Sequence, residues 1–369
     1  MSLKPFKLER YFAQHEFSAP YLLSPSDIDA LTMPELLAFA SAKRRQQWDT
    51  LQFGYTESQG HPELRALISN LYNDDITAQQ VIGVVPEEGI FIAMNTLLSA
   101  GDHIIVMHPI YQSLYEIARS KGVSISQWRP SAQWQFDVDA LADLHNDKTT
   151  MLIVNTPHNP TGAHFTQDEW QHIVAFARQH DLWLFSDEMY RFSEYDVADR
   201  LPAGCESYEK AISLCGLSKS FALPGLRVGW LVTQNQEAMQ KFTTFKDYTT
   251  ICGSAPSEIL ALITLEAQSE ILARNLAILQ GNLNILDLFF ADHSPYFKWQ
   301  RPLAGTIALV EYLGEQSIEQ LAHDLVTHKG VMIVPSSVFD YDGNFFRLGF
   351  GRRNMTQALE LLADHITNE

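Results

Sequence analysis

Ser213-Leu-Cys-Gly-Leu-Ser-Lys-Ser-Phe-Ala-Leu-Pro-Gly-Leu-Arg-Val-Gly-Trp230 is an apolar run that ends in a small-residue turn, carries one lysine there, and resumes after Pro224-Gly225. An ammonium in such a turn is partly desolvated, which lowers its pKa toward the free amine that attacks carbonyls. Lys219 is therefore suited to forming a Schiff base. Arg227 follows eight residues later (227 − 219 = 8) and offers a forked donor to an anion such as a phosphate. Upstream, Asn155-Thr-Pro-His-Asn-Pro-Thr-Gly162 closes the apolar strand Met151-Leu-Ile-Val154, and Asp187 with Tyr190 closes Leu182-Trp-Leu-Phe185. In open α/β sheets the carboxyl ends of the strands form the ligand crevice, so these strand ends are expected to meet at one site.

With Asn159-Pro-Thr-Gly162, Asp187-x-x-Tyr190, Ser218-Lys219 and Arg347, the chain resembles the fold-type I pyridoxal-phosphate (PLP) enzymes of the class I/II aminotransferase family. The spacings (187 − 159 = 28, 219 − 187 = 32, 347 − 219 = 128) are similar to the family's, and the resemblance runs from about Tyr55 to Arg353. It implies an α/β fold of a large, doubly wound, mostly parallel sheet domain (residues 41–254) with a smaller α+β domain formed by 1–40 and 255–369. It also implies pyridoxal 5′-phosphate as cofactor, amino-acid and 2-oxo-acid substrates, and a homodimer with shared active sites.

Composition sets the bounds. With Lys+Arg 26 against Asp+Glu 44 the net charge is −18, which disfavours nucleic acid, since nonspecific binding to phosphate backbones rests on lysine and arginine. This also weighs against a PLP-sensing regulator with a DNA-binding domain. Cys205, Cys215 and Cys252 are odd in number and form no CxxC pair, arguing against a disulfide framework and a zinc site. The start, Met1-Ser-Leu-Lys-Pro-Phe-Lys, lacks an apolar leader core, and the most apolar stretch, Gly89–Gly101, is shorter than the roughly 20 residues a bilayer requires. A cytoplasmic protein without membrane contact is expected.

Periodicity divides the chain. Helices are predicted over Pro62–Leu71 and Tyr111–Lys121, and from a capping box at Thr166-Gln-Asp-Glu169 through Arg178, alternating with strands such as His103–Met107. Beyond Thr250, residues 257–290 are almost continuously helix-compatible. Short strands follow around Gly305–Tyr312, Val331–Val334 and Phe345–Phe350, with helices over Ile318–Lys329 and after Asn354. The first 40 residues show no clear periodicity, and the resemblance implies that they fold onto the small domain beside the active-site mouth.

The resemblance also carries roles onto particular residues. Lys219 holds the cofactor and moves the α-proton; Asp187 partners the pyridine nitrogen and keeps the ring an electron sink. Asn159 and Tyr190 donate to the phenolic oxygen, and Tyr111 stacks on the ring. Ser218, Arg227 and the amides of the helix after Pro86 hold the phosphate. Tyr55 reaches the neighbouring subunit's phosphate, and Arg347, assisted by Asn159, grips the substrate carboxylate. Two features depart from the family. Pro86-Glu87-Glu88-Gly89 replaces a small-residue turn, placing Glu87 and Glu88 among the expected phosphate contacts, and Gly216 stands where many members have serine. Pro86-Glu-Glu-Gly89 and Glu16-Phe-Ser-Ala-Pro-Tyr21 resemble a branch that includes the cyclising enzyme capreomycidine synthase, so elimination, replacement or cyclisation stands beside amino transfer. Arg352 and Arg353 read as solvated surface charge.

Overall fold

The computed structural model describes residues 2–367; residues 1, 368 and 369, which the domain division included, lie outside it. In chain order the strands are β1 (Tyr21–Leu22), β2 (Val81–Val84), β3 (His103–Met107), β4 (Ser124–Trp128), β5 (Thr149–Asn155), β6 (Trp183–Asp187), β7 (Ala211–Gly216), β8 (Gly229–Val232), β9 (Phe297–Lys298), β10 (Ile307–Tyr312), β11 (Val331–Met332), β12 (Val334–Pro335) and β13 (Phe345–Gly349). The large sheet has the order β2-β8-β7-β6-β5-β3-β4, in which β8 runs antiparallel to both neighbours and every other adjacent pair is parallel.

Near-continuous apolar runs explain the central strands. β3 and β7 are buried at every residue, as expected of parallel strands covered on both faces by helices. The helix Gln167–Gln179 starts with the predicted box: the Glu169 amide donates to Thr166 Oγ1 (3.2 Å), and the Thr166 amide to Glu169 Oε2 (2.7 Å). Pro62 opens a helix that stops at Ser69, and the helix predicted from Tyr111 begins at Ser113.

The apolar C-terminal region forms two helices, Ala255–Glu266 and Gln268–Asp292, broken at Ala267. The first packs on helices Met33–Ala38, Ala42–Asp49 and Pro62–Ser69, so its partners lie on the large-sheet side. The second buries Ile271 in that same cluster and Leu279, Leu283, Leu286 and Phe290 in the core around β10 and β13, joining the two cores. The small sheet has the order β12-β13-β10-β9.

The N-terminal residues hold a helix, Lys7–His15, that sequence periodicity did not reveal. Its buried Leu8 packs with Met332, Val334, Val338 and Phe339, while Tyr11 donates to the Ile333 carbonyl (2.8 Å). The Lys4 and Lys7 amides donate to Glu116 and Gln112 at the helix Ser113–Ser120. The segment thus bridges both halves of the molecule, and β1 pairs with β11 just beyond it. Only a few apolar residues on this short helix are covered, too few to register as a pattern.

Candidate active site

The sheet's carboxyl edge opens into a cavity of about 390 Å³. Its floor comes from consecutive strand ends: Asn155 at the end of β5 pairs in register with Asp187 of β6, which pairs with Leu214 of β7. The chain leaves β5 into Asn159, β6 into Tyr190, and β7 into Ser218 and Lys219. β8 runs the other way, so its amino end, preceded by Arg227, lies on the same edge. Pro86, Glu87, Tyr111, Asn159, Asp187, Tyr190, Ser218, Lys219, Arg227 and Arg347 all line the cavity.

Lys219 Nζ donates to Ser26 Oγ at 2.8 Å. Burial depresses the ammonium below its ordinary value, with Asp27 opposing that trend and Arg347 assisting it. Asp187, 5% exposed, accepts from the Met189 amide (3.1 Å), and burial pushes its carboxyl up to about 7. The charge of Lys219 offsets that burial only in part, and a protonated ring nitrogen would complete the offset. Burial also pushes the Tyr190 phenol up to about 12, so it stays a donor, while Arg347 and Ser26 favour its ionised form.

Arg347 projects from β13 and is 1% exposed. Its Nε and Nη2 donate to the Ser24 carbonyl (3.2 and 2.8 Å), and Nη1 donates to Asn159 Oδ1 (3.2 Å). These bonds fix the plane of the fork and leave one N–H on each terminal nitrogen, the pair that grips a carboxylate. They also orient Asn159, whose oxygen is engaged and whose amide nitrogen remains as a donor. Gly162 ends this loop at φ +70°, and a Cβ there would lie 2.4 Å from Pro302 Cβ and 2.6 Å from the Ile307 carbonyl. Glycine lets the loop touch the segment leading into β10.

The residues present fit the expected cofactor. Ser218 Oγ is buried without a partner in the chain, beside Arg227, as a phosphate-binding hydroxyl requires. Arg227 holds a left-handed backbone (φ +56°) and donates through Nη1 to the Pro224 carbonyl (3.0 Å). Tyr111 donates to Glu9 Oε1 (2.9 Å), which fixes its ring in the wall.

The two departures meet in space. A Cβ on Gly216 would lie 3.2 Å from Pro86 Cγ, and one on Gly229 would lie 2.7 Å from it. The proline ring therefore rests on two glycines of adjacent strands, and a serine at position 216 would crowd it.

One expected contact does not reach the cavity. Glu88 turns away, accepting from the Val85 amide (3.2 Å), the Thr250 hydroxyl (2.7 Å) and the Thr249 hydroxyl; as the third residue of its helix it caps the free amide at the helix start. Tyr55, expected to serve the neighbouring subunit's site and not this one, is 91% exposed. Arg352 is another correction: it is largely covered and its Nη2 donates to both oxygens of Asp27 (3.1 Å each), whereas Arg353 stays exposed.

Sequence reasoning missed Ser24, Ser26 and Asp27, which hold Arg347, Lys219 and Arg352, along with Glu9 and Phe12 of the N-terminal helix. The only signal was Ser24-Pro-Ser-Asp27, a polar turn-like string no different from a surface loop. Among the described residues there is no His/Cys/Asp/Glu group suited to a metal, and no helix long and apolar enough to cross a membrane.

The chain is similar to known PLP-dependent enzymes. The family model for aminotransferase class I and II matches residues 30–366. Capreomycidine synthase of Streptomyces vinaceus is 26% identical over 97% of this chain and 93% of its own length. A PLP-dependent aminotransferase from Streptococcus suis superposes with a TM-score of 0.93 at 29% identity, covering 100% of this chain and 99% of that one. The PLP-dependent cyclase OrfR gives 0.90 at 25%, covering 100% and 98%. The chain belongs to the class I and II aminotransferase family, with the fold-type I architecture and pyridoxal 5′-phosphate as its cofactor.

Proposed function

We propose that the protein is an aminotransferase exchanging an amino group between an amino acid and a 2-oxo acid. One observation carries this reading: Lys219, Asp187 and Arg347, from three separate strands and their ends, line a single cavity. Bound pyridoxal phosphate supplies the electron sink for a carbanion. The chain's residues do the rest. Arg347 presents its two remaining N–H groups to a substrate carboxylate, which fixes the α-carbon. Lys219, its ammonium destabilised by burial, exchanges a proton between Nζ and that carbon. Asp187 would offer a buried anion to the ring nitrogen, and Tyr190 Oη with the Asn159 amide would donate to the phenolic oxygen. Phe12 and the N-terminal helix close one wall against water. Replacing Lys219 by alanine is expected to abolish the visible imine absorbance and cut turnover by at least about 10²- to 10⁴-fold, the usual share of a positioned acid–base group. A fully active K219A protein refutes the reading.

A second reading, cyclisation or elimination, is favoured by the near full-length similarity to capreomycidine synthase. Glu9, Glu16 and Asp27 on the mouth wall, where burial raises the Glu16 carboxyl, suit a cationic side chain. An amino acid supplied without oxo acid separates them: stoichiometric pyridoxamine phosphate marks transfer, catalytic ammonia marks elimination, and catalytic loss of the amino acid with neither product marks cyclisation.

The proposal extends to a homodimer. Phe53, Tyr55, Tyr248 and Ile251 are exposed on two segments tied together by Ser58 Oγ to Asp247 (3.0 Å) and by Lys246 to the Ser58 carbonyl. Clustered exposed apolar side chains of this size mark an interaction surface. A second copy seated there gives Tyr55 a neighbouring phosphate to reach. A reducing cytoplasm suits the unpaired Cys205, Cys215 and Cys252.

A further inference from the structure

Among the described residues that line the cavity the carboxylates are Glu9, Glu16, Asp27, Glu87 and Asp187, and Glu87 is the one carried by the helix start expected to face the phosphate. It sits in the first turn of the helix Pro86–Leu97 and lines the cavity with Ser218 and Arg227. Unlike Glu88 it is not used as a cap; its Oε2 accepts only from Ser113 Oγ (3.1 Å). A phosphate dianion and an ionised carboxylate on one wall repel each other, and Pro86 has no amide to offset them. We propose that Glu87 binds the cofactor phosphate through one proton held between its carboxyl and a phosphate oxygen, so that loading takes up a proton from solvent. This rests on the cofactor assignment above.

The surroundings agree. Burial pushes the Glu87 carboxyl up to about 7, Glu9 pushing the same way while Ser113 and Arg227 oppose. The other charged or titratable groups of the cavity are Glu16, Asp27, Tyr111, Asp187, Tyr190, Lys219, Arg227 and Arg347, and those of the outer groove it also borders are Lys4, Glu88 and Glu116. Arg227 is the cation whose charge acts on it. Glu88 is engaged by Thr249 and Thr250, and Glu116 by Arg119 and the Lys4 amide.

Balance is simple. Above neutral pH the free partners are a carboxylate and a dianion, since phosphate monoesters lose their second proton near pH 6. The complex holds O–H···O between them, which requires one added proton. Below neutral pH the carboxyl already carries it. Affinity is therefore present at low pH and lost as pH rises past about 7, approaching about tenfold per pH unit.

Calorimetric titration of the full cofactor-stripped chain with pyridoxamine 5′-phosphate, which forms no bond to Lys219, tests this. Repeating it between pH 6 and 9 in buffers of different ionisation enthalpy counts the protons. Uptake should rise toward one per site above pH 7 in the wild type, and both the uptake and the pH slope should nearly vanish in Glu87→Gln. Unchanged uptake in that variant overturns the proposal. Asp187 titrates in this range too, but it is the same in wild type and Glu87→Gln, so the difference between them isolates Glu87. Ser113→Ala removes the donor that favours the ionised Glu87 and serves as the second variant: the pH at which uptake begins should rise, and an unmoved onset overturns the proposal even if Glu87→Gln fails to fold. A wild-type protein that binds the ligand without proton uptake sinks this inference alone; one that binds no ligand at all sinks the cofactor assignment with it.

Discussion

Asp187 is held by an unusual balance for an ionisable residue. The sheet buries it at the end of β6, the Met189 amide supplies one donor, and no fixed cation of the chain restores its ordinary acidity. Its folded pKa, raised from 3.8 to about 7, means that the folded chain binds a proton the unfolded chain has already lost. The stabilising effect is fully present below the unfolded value and disappears as pH rises through about 7. Cofactor-free protein should therefore lose a few degrees of melting temperature between about pH 4 and 7, and Asp187→Asn should flatten that slope. An identical slope in both proteins contradicts the assignment. Bound cofactor should flatten it as well, because a ring cation stabilises the ionised carboxylate.

At the scale of elements, the helix Pro86–Leu97 meets the β7–β8 pair through a proline ring on two glycines. Gly216 and Gly229 are register partners there, and the ring fills the space their side chains would occupy. Introducing the family's serine as Gly216→Ser should overpack this contact and cost about 1–3 kcal/mol, read as a lower denaturation midpoint. Pro86→Ala should recover only part of the loss, because a Cβ at 216 also meets Gly229 Cα and the Val228 carbonyl at 3.0 Å. Full additivity of the two changes would show that the contact is not shared. The two positions at which the sequence departs from the resemblance, 86 and 216, are therefore in contact.

For the whole molecule, the exposed patch around Phe53, Tyr55, Tyr248 and Ile251 sets the assembly expected in solution. Sedimentation should show a species of twice the 41.8 kDa chain mass, with Tyr55→Asp together with Tyr248→Asp shifting it toward monomer and lowering activity. A wild-type monomer that is fully active removes Tyr55 from the site. The N-terminal segment acts at this scale too: it touches the helix Ser113–Ser120, the small sheet and the cavity, and so couples the two halves across the mouth.

The sequence alone made the α/β plan and the strand ends legible, because those signals are local, and the resemblance picked out Lys219, Asp187, Tyr190, Asn159 and Arg347, which the fold brings to one cavity. An apolar run ending in a polar turn is a strand end wherever it occurs, and parallel strands must then bring their ends to one edge. Tertiary structure decided what depends on distant pairing: the position of β8, antiparallel between β2 and β7; the break at Ala267; and the polar string Ser24–Asp27 closing over Lys219 and Arg347. It also separated Glu87 from Glu88. Two adjacent glutamates are equivalent in a sequence, but successive helical residues point about 100° apart, so one faces the cavity and its neighbour caps the helix.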